Sequence, residues 1–175
     1  MQQGLMRLSH WLGALCKVIG GVSLLALLMV TIVDVGLRFL SDLTSGAVSL
    51  SVAGSVELVS YLLLFSLLAA MAASVEKSQV VVEVLTHRLN DSLKTRIHGF
   101  YLVGFAVMGL ILCTGLIDSG RGALEHGEVT QDLRISMGPI YFFAAFLSAL
   151  LSLRSLLHVV LSGVFGQEEE TAHGE

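Results

Sequence analysis

The chain has 175 residues, 54% of them hydrophobic and 14% charged, with a mean hydropathy of +0.82. Soluble domains carry about 25% charged residues, so this chain has too little charge to cover a water-facing surface. With 1 Pro, 2 Cys and a net charge of −4, the composition excludes a disordered chain, a disulfide scaffold and a nucleic-acid binder, because phosphate neutralisation needs clustered Lys and Arg.

Four runs lack Asp, Glu, Lys and Arg: 18–33, 58–75, 97–117 and 135–153, holding 16, 18, 21 and 19 residues. A helix rises ~1.5 Å per residue, and a hydrocarbon core of ~30 Å takes about 20 of them. Each run therefore predicts one transmembrane helix. Open strands are excluded, because lipid cannot satisfy a sheet edge. The expected architecture is an all-α integral membrane protein, a single domain over 1–166 with spans at about 12–37, 55–75, 97–117 and 135–160. An acidic tail without an apolar face, expected to be disordered, follows at 167–175.

The first span is short by charge alone, but Lys17 can snorkel and Val35 to Leu37 extend it past Asp34. Arg7, Lys17 and the small residues Ser45, Gly46 and Ala47 leave a cleaved secretory signal as the alternative reading. Against it, the apolar run exceeds a typical h-region, and the small cluster lies well beyond Asp34 and Arg38. Ahead of the span, Leu5, Leu8, Trp11, Leu12 and Leu15 form an apolar stripe, with Trp11 expected at headgroup depth.

The first connection, 41–55, is rich in small residues and Ser, which suits a partly helical dip into the interface. Glu57 stands about one turn inside the second span. It reads either as an interfacial acid favoured by the helix macrodipole, or as the partner of Arg38, locking this connection.

Between the second and third spans, Val81, Val82, Leu85, Leu89 and Leu93 recur at helical spacing, with Glu83, His87, Arg88, Asn90, Asp91 and Lys94 mostly on the other face. The pattern predicts an amphipathic interfacial helix over about 79–94. A soluble hairpin helix packed on the protein itself is the alternative. The third connection, 118–134, sets Asp118, Glu125, Glu128 and Asp132 against Arg121 and Arg134.

Counting Lys and Arg by connection puts seven on the side of the two chain ends and three on the other. Arg154 is counted with the C-terminal end. The positive-inside rule then predicts that both ends are cytoplasmic.

Chemistry-bearing motifs are scarce. No GxxxxGK[ST] is present, and no connection is large enough for a nucleotide domain. The central thirds of the four spans hold no acid, base or Pro, whereas a carrier acting alone usually places ionisable groups and broken helices there. That argues against a small homodimeric exporter. Cys16 and Cys113 fall near opposite ends of their spans, far beyond disulfide reach. No spacing resembles a metal site, and no cofactor is expected. His98 and His158 both fall near the cytoplasmic ends of spans, which keeps a haem-bearing membrane anchor of a respiratory oxidoreductase as the alternative function.

The order of features resembles one family, the small membrane subunit of TRAP (tripartite ATP-independent periplasmic) transporters, from about Val30 to Val160. Val33-Asp34-Val35-Gly36-Leu37-Arg38-Phe39 is similar to the family's apolar run closing on Arg and an aromatic. Gly54-Ser55-Val56-Glu57-Leu58 looks like its Gly–Glu–Leu helix start, and 76–85 occupies the place of its "G-H-I-x-V-D-x-L" segment. Gly127-Glu128-Val129-Thr130 to Leu133-Arg134-Ile135 resembles the entry into its fourth helix. The chain departs at Gln79 for His, Glu83 for Asp, and Ser136 for Pro.

The resemblance implies a four-span subunit of the bacterial inner membrane that binds neither substrate nor sodium. Its implied partners are a large many-span subunit carrying those sites and a periplasmic binding protein that delivers a small organic acid. Arg38, Glu57, Gln79, Glu83, Arg88 and Lys94 are the expected partner- or membrane-contact residues.

Overall fold

The computed structural model describes residues 2–43, 52–75 and 91–165. Among the described residues four helices follow in chain order: α1 Gln2–Leu43, α2 Ser55–Ser74, α3 Asp91–Glu125 and α4 Met137–Phe165. All four are long and apolar enough to cross a membrane. Among the described residues the one extended pairing is an isolated antiparallel bridge between Val129 and Ser136. The fold is all-α, as the charge-free runs require. Of the amphipathic segment expected at 79–94, residues 79–90 lie outside the described ones and 91–94 open α3. The tail at 167–175 also lies outside them.

The helices outrun the apolar cores that nucleate them. α1 has 42 residues and a length of ~63 Å, about twice a hydrocarbon core. Its N-terminal stripe is continuous with its span, and Trp11 is 75% exposed. α3 runs to Glu125, so half of the expected connection at 118–134 is helix. Ala123, Leu124 and Glu125 are good helix formers, and the stop comes only at Gly127. That residue takes φ 65°, the left-handed conformation that costs glycine nothing. The amides of Gly127 and Glu128 then reach back to Leu124 O at 3.3 Å and Ala123 O at 2.8 Å, closing the helix in a Schellman motif. Pro139 sits in the first turn of α4, where its missing N–H is harmless.

Packing follows a row, α1 beside α2, α2 beside α4, and α4 beside α3, with a smaller α1–α4 contact. Small side chains set the approach. On α1, Ser9, Gly13, Cys16, Gly20 and Ser23 repeat at alternating spacings of four and three and are all buried. A Cβ at Gly20 would lie 3.3 Å from Ala69 Cβ and 3.6 Å from Ser66 O of α2. The α3–α4 seam is tighter still, since a Cβ at Gly109 would stand 2.9 Å from Ser152 N and 3.0 Å from Ser148 O. There Ser152 Oγ donates to Ala106 O at 2.8 Å. In hydrocarbon, helix association rests on such close approach and interhelical hydrogen bonds.

The interior joins Cys16, Leu68, Ala69, Ala72, Leu102, Ala144, Leu147 and Leu151. Phe65 and Phe143 meet edge to face at 4.7 Å across α2 and α4. Burial is uneven: 44% of the most apolar window of α4 is buried against 11% for α1, so α4 is central and α1 flanking. Large apolar side chains on α1 (Val18, Val22, Leu25, Met29) and α3 (Phe100, Val107, Ile111) point outward.

Candidate functional sites at the two ends of the bundle

The antiparallel order brings residues 52–54 and the 126–136 connection to one end of the bundle. There Glu57, in the first turn of α2, is the organising group. Its Oε1 accepts the N–H groups of Gln131 at 2.7 Å and Asp132 at 3.0 Å, and its Oε2 accepts that of Leu133 at 3.2 Å. Successive amides turned toward one point form an anion-binding concavity, and the carboxylate of Glu57 fills it.

The turn that aims those amides is itself braced. Thr130 N–H donates to Ile135 O at 2.9 Å, Ile135 N–H to Thr130 Oγ1 at 3.1 Å, and Met137 N–H to Glu128 O at 3.1 Å. Thr130 is buried, and Arg134 adopts φ 51° to reverse the chain. Gly54, at φ 72°, leads into α2 directly beneath this turn, where a Cβ would stand 2.5 Å from Leu133 Cγ. Only a glycine satisfies both the conformation and the space.

Arg38 and Glu57 are not partners. Arg38 Nη2 binds Asp34 Oδ2 at 2.9 Å, one turn back on α1, the spacing at which helical side chains meet. Arg38 is exposed and Asp34 buried. Among the described residues Asp34 Oδ1 has no hydrogen-bond partner. The locking role that the sequence offered to an Arg38–Glu57 pair belongs instead to Glu57 and the backbone of 131–133.

At the opposite end the start of α1 meets the end of α4. Ser9 Oγ and His158 Nε2 are 3.3 Å apart. One turn earlier on α4, Arg154 is wholly buried and donates to Ala72 O of α2 through Nη1. Its guanidinium lies against Gly13 of α1, where a Cβ would come within 2.7 Å of Nη2. This corrects the reading of Arg154 as a charge of the C-terminal end. α4 continues to Phe165, so Arg154 is three turns inside the helix and belongs to the packed interior. Charge-free run length ends a span at its first charge, which is why it missed a cation that other helices enclose.

Gln79, Glu83 and Arg88 lie outside the described residues, and Lys94 is in the first turn of α3. His158, one of the two histidines considered for haem, is engaged with Ser9.

Compared with known proteins, residues 27–162 match the family described as "Tripartite ATP-independent periplasmic transporters, DctQ component". No curated protein and no solved structure matches the chain.

Proposed function

The chain belongs to the DctQ component family of the tripartite ATP-independent periplasmic transporters, and from that premise we propose that it is the static, non-transporting member of its complex. It is a multi-pass membrane protein and a small membrane subunit of such a transporter. In the proposed role it packs on the scaffold of a large many-span subunit in the bacterial inner membrane, with both chain ends cytoplasmic. The large subunit moves its transport domain elevator-fashion, driven by sodium, and takes a small organic acid from a periplasmic binding protein. This chain coordinates neither ion nor substrate.

The family match over 27–162 carries the reading. The geometry supports it. The large apolar side chains of α1 and α3 face outward, and the one charged side chain wholly buried among the described residues, Arg154, is taken up by other helices of the same subunit. Such flanks suit a subunit that widens a larger body in the membrane.

The test is an affinity pull-down of the tagged chain from native membranes in mild detergent, read by mass spectrometry. A large many-span partner in about equal amount is expected. Transport by the purified chain alone in liposomes, or recovery with flavin or iron–sulfur subunits instead, would overturn the proposal.

A further inference from the structure

α2 ends at Ser74, so the carbonyl of Ala72 is among the last four of the helix, which have no intrahelical donor. These carbonyls also carry the negative end of the helix macrodipole, where a cation is favoured. α2 has no basic residue in its last turn. Arg154 of α4 donates to this carbonyl, and it does so from full burial. By sequence Arg154 lies six residues before the end of the Met137–Val160 span, a depth of ~9 Å along the helix. An ionisable group at such a position is expensive to place and is kept for a purpose. Its planar head sits against a notch at Gly13 on α1, which a methyl group would fill.

We infer that Arg154 is a C-terminal cap of α2, delivered in trans by α4 and seated against Gly13 of α1, so that one buried guanidinium holds three helices together at this end. It acts as a positioning residue. Arginine suits the task because its flat, permanently charged fork donates from several nitrogens, whereas a lysine presents a compact point charge. The contact gives a scaffold subunit stiffness where its two chain ends meet. The inference rests on the contact itself and holds whichever partner the subunit has.

The experiment is hydrogen exchange on the full chain in detergent, comparing peptides at the two ends of α2. In Arg154→Met the amides of residues 72–75 are expected to exchange at least ~10-fold faster, because the last turn frays once its cap is gone, while those of 56–62 stay as in wild type. Arg154→Lys should fall between the two. Gly13→Ala, which keeps the arginine but takes its seat, should shift the same residues in the same direction, and it serves where Arg154→Met fails to accumulate. Unchanged exchange at 72–75 in both Arg154→Met and Gly13→Ala would overturn the inference. So would an equal rise at both ends of α2, which would mark general destabilisation and no cap.

Discussion

Gln131 and Glu57 are 74 positions apart in the chain, yet the Gln131 amide donates to Glu57 Oε1 at 2.7 Å. With Asp132 and Leu133 beside it, the turn before α4 is fastened to the first turn of α2 by a single carboxylate. Two segments far apart in sequence are thus joined, and the helices they belong to or lead into, α2 and α4, are the pair that shares the Phe65–Phe143 contact. Charge-assisted bonds from backbone amides are shorter and stronger than neutral ones, and Glu57 accepts three of them.

Glu57→Ala should release this turn. Limited proteolysis of the membrane-embedded protein is expected to cut within 126–136 faster than in wild type. Glu57→Gln should be intermediate, because its amide keeps one acceptor while its NH2 group faces an N–H it cannot accept. Since the carboxylate is satisfied inside the subunit, substrate affinity of the assembled complex should stay unchanged in Glu57→Gln. Cleavage at the wild-type rate in Glu57→Ala, or a large change in the substrate's apparent binding constant with the complex intact, would contradict this.

The glycines of α3 make opposite forecasts. At Gly109 a Cβ would meet backbone atoms of Ser152 and Ser148 at 2.9 and 3.0 Å, and backbone cannot step aside as a side-chain tip can. Gly109→Ala should therefore separate α3 from α4, at about 1–3 kcal/mol, the usual penalty of overpacking. At Gly104 nothing lies within 4 Å, and alanine is the better helix former by up to ~1 kcal/mol. Gly104→Ala should leave the isolated subunit unchanged or slightly more stable. Thermal unfolding in detergent decides it, and equal midpoints for the two variants would refute the α3–α4 geometry.

What the sequence disclosed and what it hid divide along physical lines. The four spans were legible because lipid admits no charge, so charge-free runs mark them directly. The reach of α1 to Leu43 and of α3 to Glu125 was not, because beyond the hydrocarbon nothing forces a helix to stop and only a residue such as Gly127 does. The Asp34–Arg38 pair was readable from its spacing of four, but Arg38 was considered against Glu57 because both flank the first connection. Glu57's actual partners are main-chain amides, which leave no side-chain pattern to find. Arg154 was hidden by the same rule that revealed the spans.

The proposed orientation, with both chain ends cytoplasmic, rests on the count of cations, and it can be checked at the Glu57 end. In a chain with Cys16 and Cys113 replaced by Ser, a cysteine at Asp132, an exposed position, should react in whole cells with a membrane-impermeant thiol reagent. A cysteine at exposed His10, near the start of α1, should react only after the membrane is opened. The reverse pattern would place the chain ends outside and refute the charge count.

The last prediction concerns the basic residues after α2. The sequence spacing puts Arg88 and Lys94 on the polar edge of an amphipathic segment expected at the cytoplasmic surface. Near an anionic leaflet each Lys or Arg contributes about 1 kcal/mol of attraction, which reversal turns into repulsion of similar size. Arg88→Glu and Lys94→Glu are therefore expected to lower the yield of intact complex or loosen its hold on the membrane, each by up to roughly 30-fold, with more loss in vesicles rich in anionic lipid. If the segment instead packs on the protein as a soluble hairpin, the loss should not depend on lipid charge. Wild-type transport and complex yield in both variants would remove these residues from any contact role.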